Sequence, residues 1–372
     1  MSHRRGCRAE LGYAQSVGIN AVRVFLSMLP WVADRQTFLA RYDHFIQACA
    51  AKDVKPLIVL FDDDFFEVPG VNSTADVAPW LATKEYKTSK WMANPGMFLL
   101  AEDAAQGWKQ ADAYLADIAG GSRANDKRLL GFDVMNEPGR KAPFPGGLPA
   151  FISHVFDVLK KSTTVLFTVD AYGQLPKDYE DVETGLSWHN YWHYGNWKSC
   201  AANAASICND QAAAGKAYLA DAAKRDKPAL VSEIGQFDCY CPAAHGWQVA
   251  GVGFIMWELM LEHDQFSSFQ GLVYKNGTWR SDLERDCLKQ LSTKKAAACP
   301  PRPPAPPPPP PPPPPGWCSA SNCTLHADGD SIFTWTPQND REYSNGPSPF
   351  LSSRRSERGR VNSYPSLLVP VD

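Results

Sequence analysis

Between residues 18 and 292 the apolar positions follow two alternating spacings. Near-continuous apolar runs lie at 21–26, 56–61, 129–135, 164–169, 229–232 and 253–256, with a shorter one at 186–188. Unbroken apolar character over so few residues predicts short strands buried on both faces. Between the runs, apolar residues return every three or four positions. Phe38, Tyr42, Phe45, Ile46 and Cys49 fall on one side of a helix in this way. Further helices are expected at 9–17, 101–119, 148–161, 211–225 and 282–291, and the stretch 65–97 reads as a long loop carrying Trp80 and Trp91.

Strand and helix in regular alternation predict an α/β protein with parallel pairing. Two architectures satisfy that pattern, an open doubly wound sheet and a (β/α)8 TIM barrel. Polar groups decide between them. Arg23 lies within the first strand, and Asp62, Asp63 and Asp64 follow the second. Asn136 and Glu137 follow the third, His189 and Tyr191 the fifth, Glu233 the sixth and Trp257 the seventh. An open sheet gathers its site at one switch point, whereas a barrel draws on the ends of many strands. No Gly-x-Gly-x-x-Gly fingerprint or P-loop follows an early strand, so the barrel is the expected fold. The count of strands is seven. The eighth would precede the helix at 9–17, where residues 1–8 form a polar, basic stub, so the barrel is expected to lack its first β-strand. A shortened N-terminus would account for that and for the absence of a visible signal peptide.

Composition then divides the chain. Of 31 prolines, 14 lie between Pro300 and Pro315, including an unbroken run from Pro306 to Pro315. Without backbone donors and with φ fixed, that run forms neither helix nor central strand; as a polyproline II rod of ten residues it spans about 31 Å. The expected organisation is a barrel at 1–298, a proline-rich linker at 299–316 and a tail at 317–372, disordered or the remnant of a small module. Against 40 acidic residues the chain has 37 basic ones, a balance that argues against general nucleic-acid binding. No run of eighteen apolar residues is present, so neither a membrane nor a nucleic acid is expected as partner. The ten cysteines include the near neighbours Cys200 and Cys208, Cys239 and Cys241, and Cys318 and Cys323. Each pair is a candidate local disulfide in an oxidising compartment, although the Cys239-x-Cys241 spacing favours pairing elsewhere. Cys239, Cys241 and His245 offer three mixed metal ligands with no fourth. Glycosylation acceptors at Asn72, Asn276 and Asn322 fit an exported, extracellular or cell-wall protein.

Cleaving a glycosidic bond requires one carboxylic acid to protonate the leaving oxygen and a second, ionised carboxylate to attack or to activate water. Glu137 and Glu233, each just past a core strand, supply such a pair. Asn136 is placed to bind a sugar hydroxyl, Arg23 to hold Glu233 ionised and Tyr191 to orient it. Trp257 offers a flat face for a pyranose ring, and Trp31, Trp188, Trp192 and Trp197 are candidates for further subsites. Taken singly, a Glu after a strand is usually a solvated loop residue, and a tryptophan more often belongs to the core. Their succession at strand ends is what points to a cleft.

These residues resemble those of glycoside hydrolase family 5, the cellulase and mannanase family. Asn136-Glu137-Pro138 is similar to its acid/base motif, Gly18-x-Asn20-x-x-Arg23 to its second-strand segment, His189 and Tyr191 to its sixth-strand pair, Glu233 to its nucleophile and Trp257 to its stacking tryptophan. The resemblance covers roughly residues 9–292 and numbers the first strand seen here as the family's second. It implies a retaining hydrolysis of β-linked glucan or mannan by a monomer, with no metal or organic cofactor, in which Glu137 carries a proton and Glu233 stays ionised. The aspartates 62–64 depart from the histidine many members carry there and leave the substrate subgroup open. A glycan-binding or cell-wall protein on a degenerate barrel is the alternative.

Overall fold

The structure, a computed structural model, describes residues 3–62, 73–83, 97–138, 146–162, 166–168, 184–191, 200–235, 240–261, 271–274, 276–293 and 297–301. Helix α1 (His3–Ser16) leads into β1 (Ala21–Phe25), followed by α2 (Met28–Ala33), α3 (Arg35–Ala50) and β2 (Lys55–Val59). Next come α4 (Thr74–Leu81), α5 (Met97–Ala104), α6 (Lys109–Ala119), β3 (Gly131–Asp133), α7 (Gly147–Ser162) and β4 (Leu166–Thr168). The remainder is β5 (Leu186–Tyr191), α8 (Cys200–Lys224), β6 (Ala229–Gly235), α9 (Tyr240–Ala250) and β7 (Gly253–Met256). A short pair, β8 (Met260–Leu261) and β9 (Val273–Tyr274), and α10 (Asp282–Thr293) complete it.

The described strands pair in parallel, in one sheet ordered β1-β2-β3-β4 and another ordered β5-β6-β7. Sheets of this kind with helices between their strands form an incomplete (β/α)8 barrel. The apolar run through β2 explains its central place: Leu57, Ile58, Val59, Leu60 and Phe61 are all fully buried, as a strand covered on both faces requires. Helix α3 buries Phe38, Tyr42, Phe45, Ile46 and Cys49, the positions its spacing selects, and Asp34 caps it by accepting from the Thr37 amide at 3.0 Å.

Several elements differ from expectation for identifiable reasons. Helix α1 begins at His3, within the expected stub; its sequence contains no β-branched residue to oppose helix formation. The stretch read as a loop contains α4, which buries Val77 and Trp80 three positions apart despite Pro79. The helix expected at 101–119 is two helices. Trp108 takes a left-handed φ of 57° between them, and Asp103 accepts from the amides of Gln110 and Ala111, both at 2.9 Å, to start α6. Helix α8 starts eleven residues earlier than expected, and α9 was unanticipated because Pro242 and Gly246 punctuate it. Pro242 falls in the first turn, where its missing donor does no harm. Gly246 is where α9 meets α8: a Cβ there would lie 2.8 Å from that of Gln211.

The disulfides also differ. Cys208 bonds Cys299, not Cys200, and Cys241 bonds Cys287, not Cys239. Both tie the end of the barrel to α8 and α9 across separations of 91 and 46 residues. By loop-closure entropy these are worth about 4–5 and about 4 kcal/mol. Cys208→Ser is therefore expected to lower the unfolding free energy by a few kcal/mol, read from urea melts under oxidising conditions. Bonding of Cys241 also removes the mixed metal site with Cys239 and His245; His245 Nε2 instead lies 2.8 Å from the Ala297 carbonyl. No helix among the described residues is long and apolar enough to cross a membrane.

Candidate active site

Strands β1, β3, β5 and β6 and the turns that follow them bring five of the expected residues to one place. Arg23, third in β1, is only 6 % exposed, so its guanidinium must find partners inside. It donates from Nη1 to Glu233 Oε1 at 2.5 Å and from Nη2 to Asn136 Oδ1 at 2.8 Å. It also donates from Nε and Nη2 to Asp133 Oδ2, at 2.8 and 2.6 Å. An arginine of the first sheet thus reaches a glutamate of the second, and the two sheets share an interior.

Glu233 is fixed from a second direction. Parallel register sets His189 of β5 opposite Glu233 of β6, just past an irregularity at Trp188. His189 Nδ1 lies 2.6 Å from Glu137 Oε1 and 3.4 Å from Glu233 Oε2. Within this group one ligand atom each of Glu137, His189 and Glu233 lies within 4.8 Å of the others. Glu137 itself holds a φ of 43°, a left-handed conformation that costs a glutamate about 1–3 kcal/mol and clusters at functional sites. Asn136 accepts from Arg23 and donates from Nδ2 to Asp62 Oδ1 at 3.0 Å, with a bridge between the two backbones. Both ends of its amide are thereby oriented by protein, and Asp62 acts on Asn136 rather than standing alone in the cleft.

Trp257 follows β7. It is half-buried, edge-on to Phe25 at 6.0 Å, and lines the same cavity as Arg23 and Glu233. Its carbonyl accepts from the Tyr240 hydroxyl, whose burial pushes that phenol well above its ordinary range and keeps it a donor. Tyr191 ends β5 opposite Gly235. Its side chain lies outside the described residues, as do Asp63, Trp192 and Trp197. Trp31 and Trp188 do not join the site. Trp31 is a core residue: it packs edge-on against Tyr114 at 5.6 Å and donates to Asp117 at 2.7 Å. Trp188 lies flat on Tyr218 of α8 at 4.4 Å, on the helix side of its strand.

One site residue escaped the sequence reading. Asp133 is fully buried in β3 and holds two donors of Arg23. The available signal was a lone carboxylate within an apolar strand, which a buried position tolerates only with a cationic partner. Asp133→Ala leaves Arg23 buried with one anionic partner fewer. It is expected to destabilise the fold by about 3–5 kcal/mol, measured by denaturant unfolding.

No protein-family profile and no curated protein matches the chain. Solved structures do. A glycoside hydrolase family 5 mannosidase from Rhizomucor miehei aligns at 12% identity and TM-score 0.51 over 78% of this chain and 87% of that one. A hyperthermostable endo-1,4-beta-D-mannanase from Thermotoga petrophila RKU-1 aligns at 14% identity and TM-score 0.50 over 77% and 95%. At these identities the likeness is one of fold: the chain shares the barrel architecture of these glycoside hydrolases.

Proposed function

We propose that the chain is a retaining O-glycoside hydrolase of glycoside hydrolase family 5 acting on β-linked glucan or mannan. The observation that carries this reading is the meeting of Glu137 and Glu233, from the ends of β3 and β6, around His189 with facing atoms inside 4.8 Å. Retaining hydrolysis calls for carboxyl groups about 5–5.5 Å apart, and inversion for about 6.5–9.5 Å. Single carboxylate oxygens inside 4.8 Å of each other accord with the double-displacement route.

In that route Glu137 gives its proton to the leaving glycosidic oxygen while a Glu233 oxygen bonds to the anomeric carbon. The aglycone departs as an alcohol and leaves a glycosyl ester on Glu233. Glu137, now a carboxylate, takes a proton from water, whose oxygen attacks the same carbon and frees Glu233. Arg23 holds Glu233 Oε1, so Oε2 is the attacking oxygen. Arg23 with Asp133 and Glu233 carries one positive and two negative charges, an excess that favours the positive charge developing on the sugar. Trp257 provides the ring platform. No step calls for a metal or an organic cofactor.

The barrel lacking its first strand, the linker and the tail belong to the same reading, as does an extracellular or cell-wall location for a monomeric enzyme. The two disulfides and exposed Asn276, within a glycosylation acceptor, support export. Incubating the full chain with β-1,4-mannan and β-glucan tests the function. Release of reducing ends is expected from at least one of them. Retention of the polysaccharide without turnover would instead identify a glycan-binding protein.

A further inference from the structure

Among the described residues, β1 and β7 are outer strands of their sheets. Hydrogen bonds show which side of each strand faces its partner. Asn20 and Leu26 bond toward β2, and Trp257 toward β6. Alternation along a strand therefore turns the backbone groups of Ala21 and Phe25 away from β2, and those of Phe254 and Met256 away from β6. The cavity that Arg23, Glu233 and Trp257 line, about 250 Å³ in volume, continues between these edges, past Phe25 and Phe254 and over Leu288 and Leu291 of α10. Two facing strand edges over an apolar floor are a template for a further strand.

We propose that this groove is the docking site of the chain's own C-terminal segment, Tyr364–Asp372, which adds a short strand between β1 and β7. Leu367, Leu368 and Val369 form the one run of three consecutive aliphatic residues in 302–372, the character of a strand buried on both faces. Pro365 and Pro370 bracket the run and limit pairing to about three residues. That length is native to this fold, since β3 and β4 each have three residues. The exit of the chain also favours this occupant. Ala297 is held on His245 of α9, one turn before Gln248, which lines the groove and donates to Leu291 at 2.7 Å. From Pro301 a further 65 residues lead to Leu367, ample to return. β1 and β7 include Cα atoms less than 8 Å from one another, whereas strands flanking a third stand about 9.6 Å apart, so docking requires the two edges to part.

Hydrogen exchange tests this without reference to catalysis, so its outcome is separate from that of the hydrolase reading. The amides of Ala21, Phe25, Phe254 and Met256 are followed in the full chain and in one ending at Ser363. Exchange at least about tenfold faster in the shorter chain, reversed by a synthetic Tyr364–Asp372 peptide but not by one carrying Leu367→Asp and Leu368→Asp, is the expected result. Unchanged exchange, or equal reversal by the altered peptide, overturns the proposal. So does protection in the shorter chain that grows with protein concentration, which would assign the groove to a second copy. Should the shorter chain fail to fold, full-length Ala21→Cys/Leu368→Cys decides. A 21–368 cross-link in peptide mass maps supports the docking, and its absence overturns it.

Discussion

Glu233→Ala is expected to lower glycan hydrolysis by about 10⁴-fold or more, the scale on which loss of a covalent nucleophile acts. The change removes the atom that bonds to the anomeric carbon, while Arg23 keeps Asp133 and Asn136 as partners. The protein should therefore remain folded, with circular dichroism unchanged. A small anion such as azide fits the space vacated by the carboxylate. It should restore turnover of an activated aryl β-glycoside and yield the glycosyl azide of inverted configuration. Measured rates for wild type, variant, and variant with azide distinguish a missing nucleophile from a damaged fold. Hydrolysis equal to wild type would remove Glu233 from the mechanism.

Glu137→Gln should produce a different pattern. General acid catalysis contributes about 10²–10⁴-fold, so polysaccharide cleavage is expected to fall by that factor. A dinitrophenyl glycoside needs no proton on its leaving group. Its first step should be nearly normal and its second slow, giving a burst of dinitrophenol followed by a low steady rate. Glutamine keeps the shape of Glu137 and a hydrogen-bonding oxygen at the His189 contact of 2.6 Å, so the effect reads the lost proton and not lost packing. A variant slowed equally on both substrates, with no burst, would assign Glu137 a structural role.

Much of this site was visible in the chain itself because a barrel converts position along a strand into position in space. Arg23 was identifiable as a charge within an apolar run and Asn136, Glu137, His189 and Glu233 as polar groups at the ends of such runs, and parallel pairing brings these positions together. What depended on contacts across the fold was not visible. Asp133 sits in the same strand segment as Asn136, yet its role exists only through Arg23, 110 residues away. Trp31 and Trp257 both follow strands and differ only in surroundings: Trp31 is held by Tyr114 and Asp117, and Trp257 faces the cavity. Disulfide partners lay 91 and 46 residues apart, beyond any inference from neighbouring cysteines. Helix α9 was obscured by Pro242 and Gly246, residues that read as breaks in isolation and prove to be a first-turn proline and a close-packing contact with α8.

The anomeric configuration of the first product bears most directly on the assignment of Glu137 and Glu233. A proton NMR time course of the full chain acting on a β-1,4-linked manno- or gluco-oligosaccharide, read before mutarotation, should show the β-anomer first. Initial appearance of the α-anomer would mean direct attack by water and would contradict the covalent role given to Glu233.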